Sequence, residues 1–168
     1  DPPAFSIYAH EVTNEEYQQF MNNTFEPTPT GWSDRQYPSG TGNHPVCGVS
    51  WDQAHSYIKW LALKNGLDPE TIRLPSHREY LRALRGLSIR GNPGGQGYWK
   101  RARLGGKSKP QPVMSVLWDE IYFAGIGQAH NLVGNVAEWT RDEDGPFIAG
   151  IAGGDYQQES SEYNHLIL

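Results

Sequence analysis

Three times in the first half of the chain, apolar residues recur at helical spacing, each time just behind a short polar residue. In "TNEEYQQFMNN", Tyr17, Phe20 and Met21 fall on one face. Thr13 stands ahead of them with Glu16 three residues later, the pattern in which cap and partner each bind the other's backbone N–H. In "SWDQAHSYIKWLALKNG" the stripe is Ala54, Tyr57, Ile58, Leu61 and Ala62, with Ser50 and Gln53 as the reciprocal pair and Gly66 as a left-handed closing residue. "SHREYLRALRG" repeats the device with Ser76 and Glu79, turns Tyr80, Leu81 and Leu84 inward, and stops at Gly86. Three short capped helices are predicted, preceded by a short strand in "FSIYAHEV" that ends at Val12.

Elsewhere the pattern breaks. From Phe25 to Gly48 the residues "FEPTPTGWSDRQYPSGTGNHPVCG" are too rich in Pro, Gly, Ser and Thr for a regular element. Phe25, Trp32 and Tyr37 are expected to pack this long loop onto the body. "GNPGGQGYWKRARLGGKSKPQP" reads as a second loop, "VMSVLW" as a strand or exposed edge, and "IYFAGI" carries no decisive period. "NVAEWT" and "FIAGIAGG" read as short strands around the acidic turn "RDEDG". Neither an internal repeat nor a heptad is visible.

Composition narrows this picture. At 168 residues the chain fits one domain, residues 1–168, with enough length to bury a core. Nineteen Gly and twelve Pro favour turns over long helices, and six Trp with nine Tyr supply large amphipathic bodies. No apolar run approaches the roughly 20 residues that span a bilayer, and no signal-peptide pattern opens the chain. The opening "DPPAF" without Met reads as a trimmed or mature form, or as a piece of something longer. Localisation therefore stays open. The sole cysteine, Cys47, excludes an internal disulfide and a thiolate-rich zinc site. Net charge is −5, unevenly spread: between Tyr80 and Trp118 there is no Asp or Glu, while eight of the fourteen Lys and Arg fall there.

The stretch densest in potential oxygen ligands is "NLVGNVAEW", Asn131 to Trp139. Together with "EVTNEEYQQF", "HPVCGVSWDQAHSYIKWL", "RLPSHREYLRALRG" and "AGGDY", in this order and at similar spacing, it resembles the signature blocks of the formylglycine-generating enzyme (sulfatase-modifying factor) family. The resemblance covers about Phe5 to Tyr156. It implies a variant of the C-type lectin fold: α+β and loop-rich, with short helices and small antiparallel sheets. In the family the block matching "NLVGNVAEW" wraps Ca²⁺. Carried over, Asn131 offers a side-chain oxygen, Gly134 and Val136 backbone carbonyls and Glu138 a carboxylate, a hard-oxygen set suited to that ion. The plainer alternative has Asn131 and Asn135 satisfying turn backbone while Glu138 pairs with Arg141.

Family enzymes oxidise a substrate cysteine with two cysteines near the C-terminus that bind copper, soft ligands that suit Cu(I). This chain has one, so no copper is expected. Cys47 stands where the family usually has an apolar residue, and its neighbours Val46 and Val49 predict an inert buried thiol. After Gly153-Gly154 the chain has only "DYQQESSEYNHLIL", short of the family's last segment. In that segment Asp155, Tyr156, Gln157, Gln158 and Tyr163 suit adaptable recognition of a protein or other ligand, or form a frayed end. The six histidines show no i, i+4 pair, and "GNPGGQG" lacks the Gly-Lys-Ser/Thr of a phosphate loop.

The basic stretch sets Tyr98 and Trp99 beside Lys100, Arg101, Arg103, Lys107 and Lys109. It reads as a solvated loop or as a dock for an acidic partner. The leading expectation is a non-catalytic, calcium-stabilised ligand- or protein-binding module of this family, one domain of a larger protein as such modules often are in bacteria. The alternatives are a cysteine-to-formylglycine oxidase without its catalytic C-terminal segment, and an anion or nucleic-acid binder acting through residues 80–118.

Overall fold

The computed structural model describes residues 4–85, 88–89, 109–114, 120–123, 127–132, 134–141 and 149–152. It divides into two compact units, Val12–Leu74 and a second made of Asp1–Glu11 with Pro75–Leu168.

Val12–Leu74 is built on two helices, α1 (Asn14–Asn23) and α2 (Trp51–Lys64). Both start where a hydroxyl and a longer polar side chain satisfy each other's backbone. Thr13 Oγ1 accepts from Glu16 N–H at 3.2 Å while Thr13 N–H donates to Glu16 at 2.8 Å. Ser50 and Gln53 repeat this at 3.2 and 2.8 Å. At the far end of α2, Gly66 takes φ 68° and lets Leu67 N–H reach Ala62 O at 2.9 Å and Gly66 N–H reach Leu63 O at 3.0 Å. Those two bonds close the helix end beside the Asn65 N–H, which also reaches Ala62 O at 3.0 Å.

The predicted faces meet in one aromatic cluster. Tyr17, Phe20, Met21 and Tyr57 are buried, with Val12, Trp32, Val46, Val49, Ile58, Trp60 and Leu61 packed around them. Tyr17 stacks on Tyr57 at 5.5 Å, and Phe20 meets Tyr57 edge-on at 5.6 Å. Each such pair adds about 0.5–1.5 kcal/mol beyond the area it buries.

The loop after α1 has no helix and no strand, as its composition predicts. Trp32 packs edge-on against Tyr17, and Tyr37 against Trp32. Phe25 departs from expectation and is fully exposed. It sits between two carbonyls held by one side chain, since the Arg35 guanidinium donates to Thr24 O and to Glu26 O, each at 3.0 Å, and also to Met21 O. With the backbone on both sides drawn toward Arg35, the intervening side chain faces solvent. Cys47 is likewise exposed rather than buried. Its neighbours Val46 and Val49 turn to the core in its place, and Gly48 between them adopts φ 71°.

Arg35 supplies the positive charge that the last turn of α1 lacks. Arg35→Ala removes three charge-assisted bonds at a helix C-terminus, and we expect a loss of about 1–2 kcal/mol. The midpoint of urea unfolding reads this directly, and an unchanged midpoint would show the contacts to be energetically idle.

The second unit holds α3 (His77–Arg85) and two small sheets. Ser76 and Glu79 form the third reciprocal cap, at 2.8 and 3.2 Å. Strands β1 (Ser88–Ile89), β2 (Glu120–Phe123) and β3 (Gly127–His130) make an antiparallel sheet in that order. The two short strands predicted on either side of the acidic "RDEDG" are present as β4 (Glu138–Arg141) and β5 (Ala149–Ala152), which pair antiparallel with Glu138 opposite Ala152 and Arg141 opposite Ala149. Tyr80, Ala83, Ala129 and Leu132 form a buried cluster on which Phe5 and Ile7 pack.

The strand expected over Phe5–Val12 does not form. Among the described residues His130 N–H donates to Ala9 O at 2.8 Å, and Phe5 and Ile7 pack on the buried cluster. "VMSVLW" begins as a turn, with Met114 exposed at φ 61°, and its remaining residues 115–118 lie outside the described set, as does Gly86. The architecture is α+β with short elements, and among the described residues no helix is long and apolar enough to cross a membrane.

Candidate functional site

Between β3 and β4, three of the described residues are left-handed: Asn131 at φ 56°, Gly134 at φ 94° and Asn135 at φ 62°. Gly adopts this region without strain. Asn does so more readily than most residues, because its short side chain can bond locally. Both asparagine side chains point inward, where each is 1% exposed.

There they meet a residue 120 positions earlier. Asn131 Nδ2 donates to one Glu11 oxygen at 2.8 Å, and Asn135 Nδ2 donates to the other at 2.9 Å. Asn135 also pairs with the backbone of Gln111, accepting its N–H at 2.9 Å and donating to its carbonyl at 3.2 Å. Glu11 is 6% exposed. Burial pushes its carboxyl above the ordinary carboxylate range, against the pull of the Asn131 and Asn135 amides, its own backbone and the charge of His10.

A second side chain ties the loop from α3. The Tyr80 hydroxyl points at both Leu132 O and Glu138 Oε2. A phenol has one proton, so two acceptor oxygens share a single donor at this end of the loop. Val136 N–H closes a tight turn on Gly134 O at 2.8 Å.

The four residues singled out for a cation therefore gather in this loop and at the first residue of β4. Asn131, Gly134 and Val136 are buried and Glu138 is half-buried. As a donor set they are one amide oxygen, two carbonyls and one carboxylate, all hard. With the Asn131 N–H₂ end engaged by Glu11, its oxygen is the end left for another partner. This donor chemistry fits Ca²⁺, which takes six to eight oxygens and tolerates water among them.

The plainer alternative is corrected in both halves. The asparagines serve a distant carboxylate and the Gln111 backbone rather than their own turn. Glu138 takes the Tyr80 hydroxyl, while Arg141 Nε is buried with no partner among the described residues. Glu11 and the Tyr80 hydroxyl are the site residues that sequence reasoning missed. The available signal was a glutamate closing an apolar, aromatic run, "FSIYAHE".

Of the basic residues, Lys109 is described and exposed. Tyr98, Trp99, Lys100, Arg101, Arg103 and Lys107 lie outside the described residues, as do Asp155, Tyr156, Gln157, Gln158 and Tyr163.

Two similarities to known proteins accompany this geometry. A family model for the sulfatase-modifying factor enzyme 1-like domain matches residues 1–165. The serine/threonine-protein kinase Pkn1 of Chlamydia trachomatis serovar L2 is 29% identical over 157 residues, covering 83% of this chain and 23% of the kinase. The chain thus spans less than a quarter of that relative's length.

Proposed function

We propose that this chain, which belongs to the family of sulfatase-modifying factor enzyme 1-like domains, works as a non-catalytic binding module with a C-type lectin-like fold, stabilised by Ca²⁺ and carried as one domain of a longer protein. The observation that carries the reading is the match of a domain of this family to part of a kinase, Pkn1, with the thiol content of these 168 residues beside it. The family's oxidase chemistry needs two soft sulfurs on one copper ion, and this chain offers one, Cys47, in a loop of Val12–Leu74.

The match to Pkn1 also supports its place as one domain of a longer protein. That protein is a kinase by name, yet this chain contains neither the His-Arg-Asp nor the Asp-Phe-Gly of a kinase catalytic centre. A module that aligns with 23% of a kinase and lacks kinase motifs is suited to recognition beside a catalytic domain. The segment Asp155–Gln158 with Tyr163 is the stretch of sequence we assign to a protein or other ligand. Lys109 and the basic residues before it are assigned to an acidic partner.

Incubation with Cu(I) and a cysteine-containing sulfatase peptide, read by aldehyde capture with a hydrazide, tests the non-catalytic reading. No aldehyde is expected, and aldehyde formation would overturn it. Calcium is tested separately by calorimetric titration of chelator-treated protein, beside Glu138→Ala. We expect heat and a raised melting temperature in the parent and neither in the variant, because a cation bound only by the folded state stabilises it by mass action. No heat in the parent removes calcium from the reading.

A further inference from the structure

The geometry points to Glu11 and Tyr80 as the positioning residues of the proposed calcium loop, an inference that rests on the calcium reading above. A cation needs oxygens turned toward it. An asparagine amide, however, carries an oxygen and an N–H₂ group of nearly the same shape, so something must decide which end faces the ion. A carboxylate can only accept hydrogen bonds. Glu11 therefore selects the N–H₂ end of Asn131, at 2.8 Å, and presents the amide oxygen on the other side.

The same carboxylate distinguishes the two asparagines of the loop. Asn135 spends both amide hydrogens, on Glu11 and on Gln111 O, and its oxygen accepts from Gln111 N–H. It is a strut, while Asn131 is the residue with an oxygen to offer. Across the loop, Tyr80 does for Glu138 what Glu11 does for Asn131. Its hydroxyl takes Glu138 Oε2 and Leu132 O together, which fixes the carboxylate relative to the residue next to Asn131. Both positioning groups are buried, Tyr80 at 2% exposure and Glu11 at 6%, and both come from outside the loop they orient. Groups that orient ligands in this way typically change metal affinity by about 10–100-fold when removed.

Two isosteric substitutions test the inference. In Glu11→Gln, whichever way the new amide turns, one asparagine faces N–H₂ instead of oxygen. Tyr80→Phe removes a single hydroxyl. Chelator-treated parent and variants are titrated with CaCl₂ by calorimetry well below their melting temperatures, and each is melted without calcium. We expect the calcium Kd to rise about tenfold or more in both variants. A merely structural role lowers the calcium-free melting temperature and leaves Kd where it was, and that result overturns the assignment. If Glu11→Gln does not fold, Tyr80→Phe decides alone. A parent that takes up no calcium sinks the calcium reading and this inference with it, whereas binding by the parent with unchanged variants sinks only the inference.

Discussion

Replacing Glu11 with Ala is expected to lower stability by about 3 kcal/mol, because each buried N–H₂ group left without its acceptor costs about 1–3 kcal/mol. Asn131 loses its acceptor outright and Asn135 loses one of two, keeping Gln111 O, and both are 1% exposed and at positive φ. One effect opposes the loss. The burial that pushes the Glu11 carboxyl upward is relieved when the carboxyl is gone. Against that relief the variant keeps the desolvated amides, loses what ordered them and gains a void where the side chain stood, and we expect the loss to prevail. For a chain of this length the loss corresponds to a melting temperature lower by about 6–12 °C. Thermal melting monitored by circular dichroism measures it. A shift below about 2 °C would mean that water or another group replaces the carboxylate at little cost.

Gly48→Ala is expected to be comparably damaging for an unrelated reason. Gly48 adopts φ 71°, and a Cβ there would lie 2.4 Å from Thr30 O and 2.9 Å from Thr30 N. Those are backbone atoms that cannot rotate aside, and the approach is held by the Thr30 N–H to Gly48 O bond at 2.9 Å. The left-handed backbone alone costs an L-residue about 1–2 kcal/mol. Relieving the clash means losing that bond or moving the loop, so about 3 kcal/mol in total is expected. Gly40→Ala is the control, at φ 78° with nothing within 4 Å of its Cβ. Only the backbone term applies there, about 1 kcal/mol. Urea unfolding followed by tryptophan fluorescence compares the two. Equal shifts would show that the Thr30 contact gives way without penalty.

These two sites mark the division between what was legible in the residues and what was not. All three helix starts were readable, because a cap bonds a partner three residues away and residue types at that spacing carry the whole interaction. The Tyr17, Phe20 and Met21 face and the Gly66 stop were readable for the same reason, and the loop after α1 and the short strands β4 and β5 were readable from their composition. The order of the five blocks pointed to the family that the match over residues 1–165 then established.

The errors share a cause. Phe25 looked like a packing residue and Cys47 like a buried one because hydrophobic character is a property of the side chain, while exposure depends on where the backbone is pulled. Arg35 pulls it at the first, and Gly48 beside Thr30 sets it at the second. Glu11 is the clearest case. Its two partners lie 120 and 124 residues away, and although it closes the apolar, aromatic run "FSIYAHE", that position does not say which donors it meets. The sequence by itself determined the helices, their caps and the family, since those depend on neighbours three or four residues apart. Only the tertiary structure decided which carboxylate is buried and what it orients, because a charge is stable in the interior only where the fold brings donors to meet it.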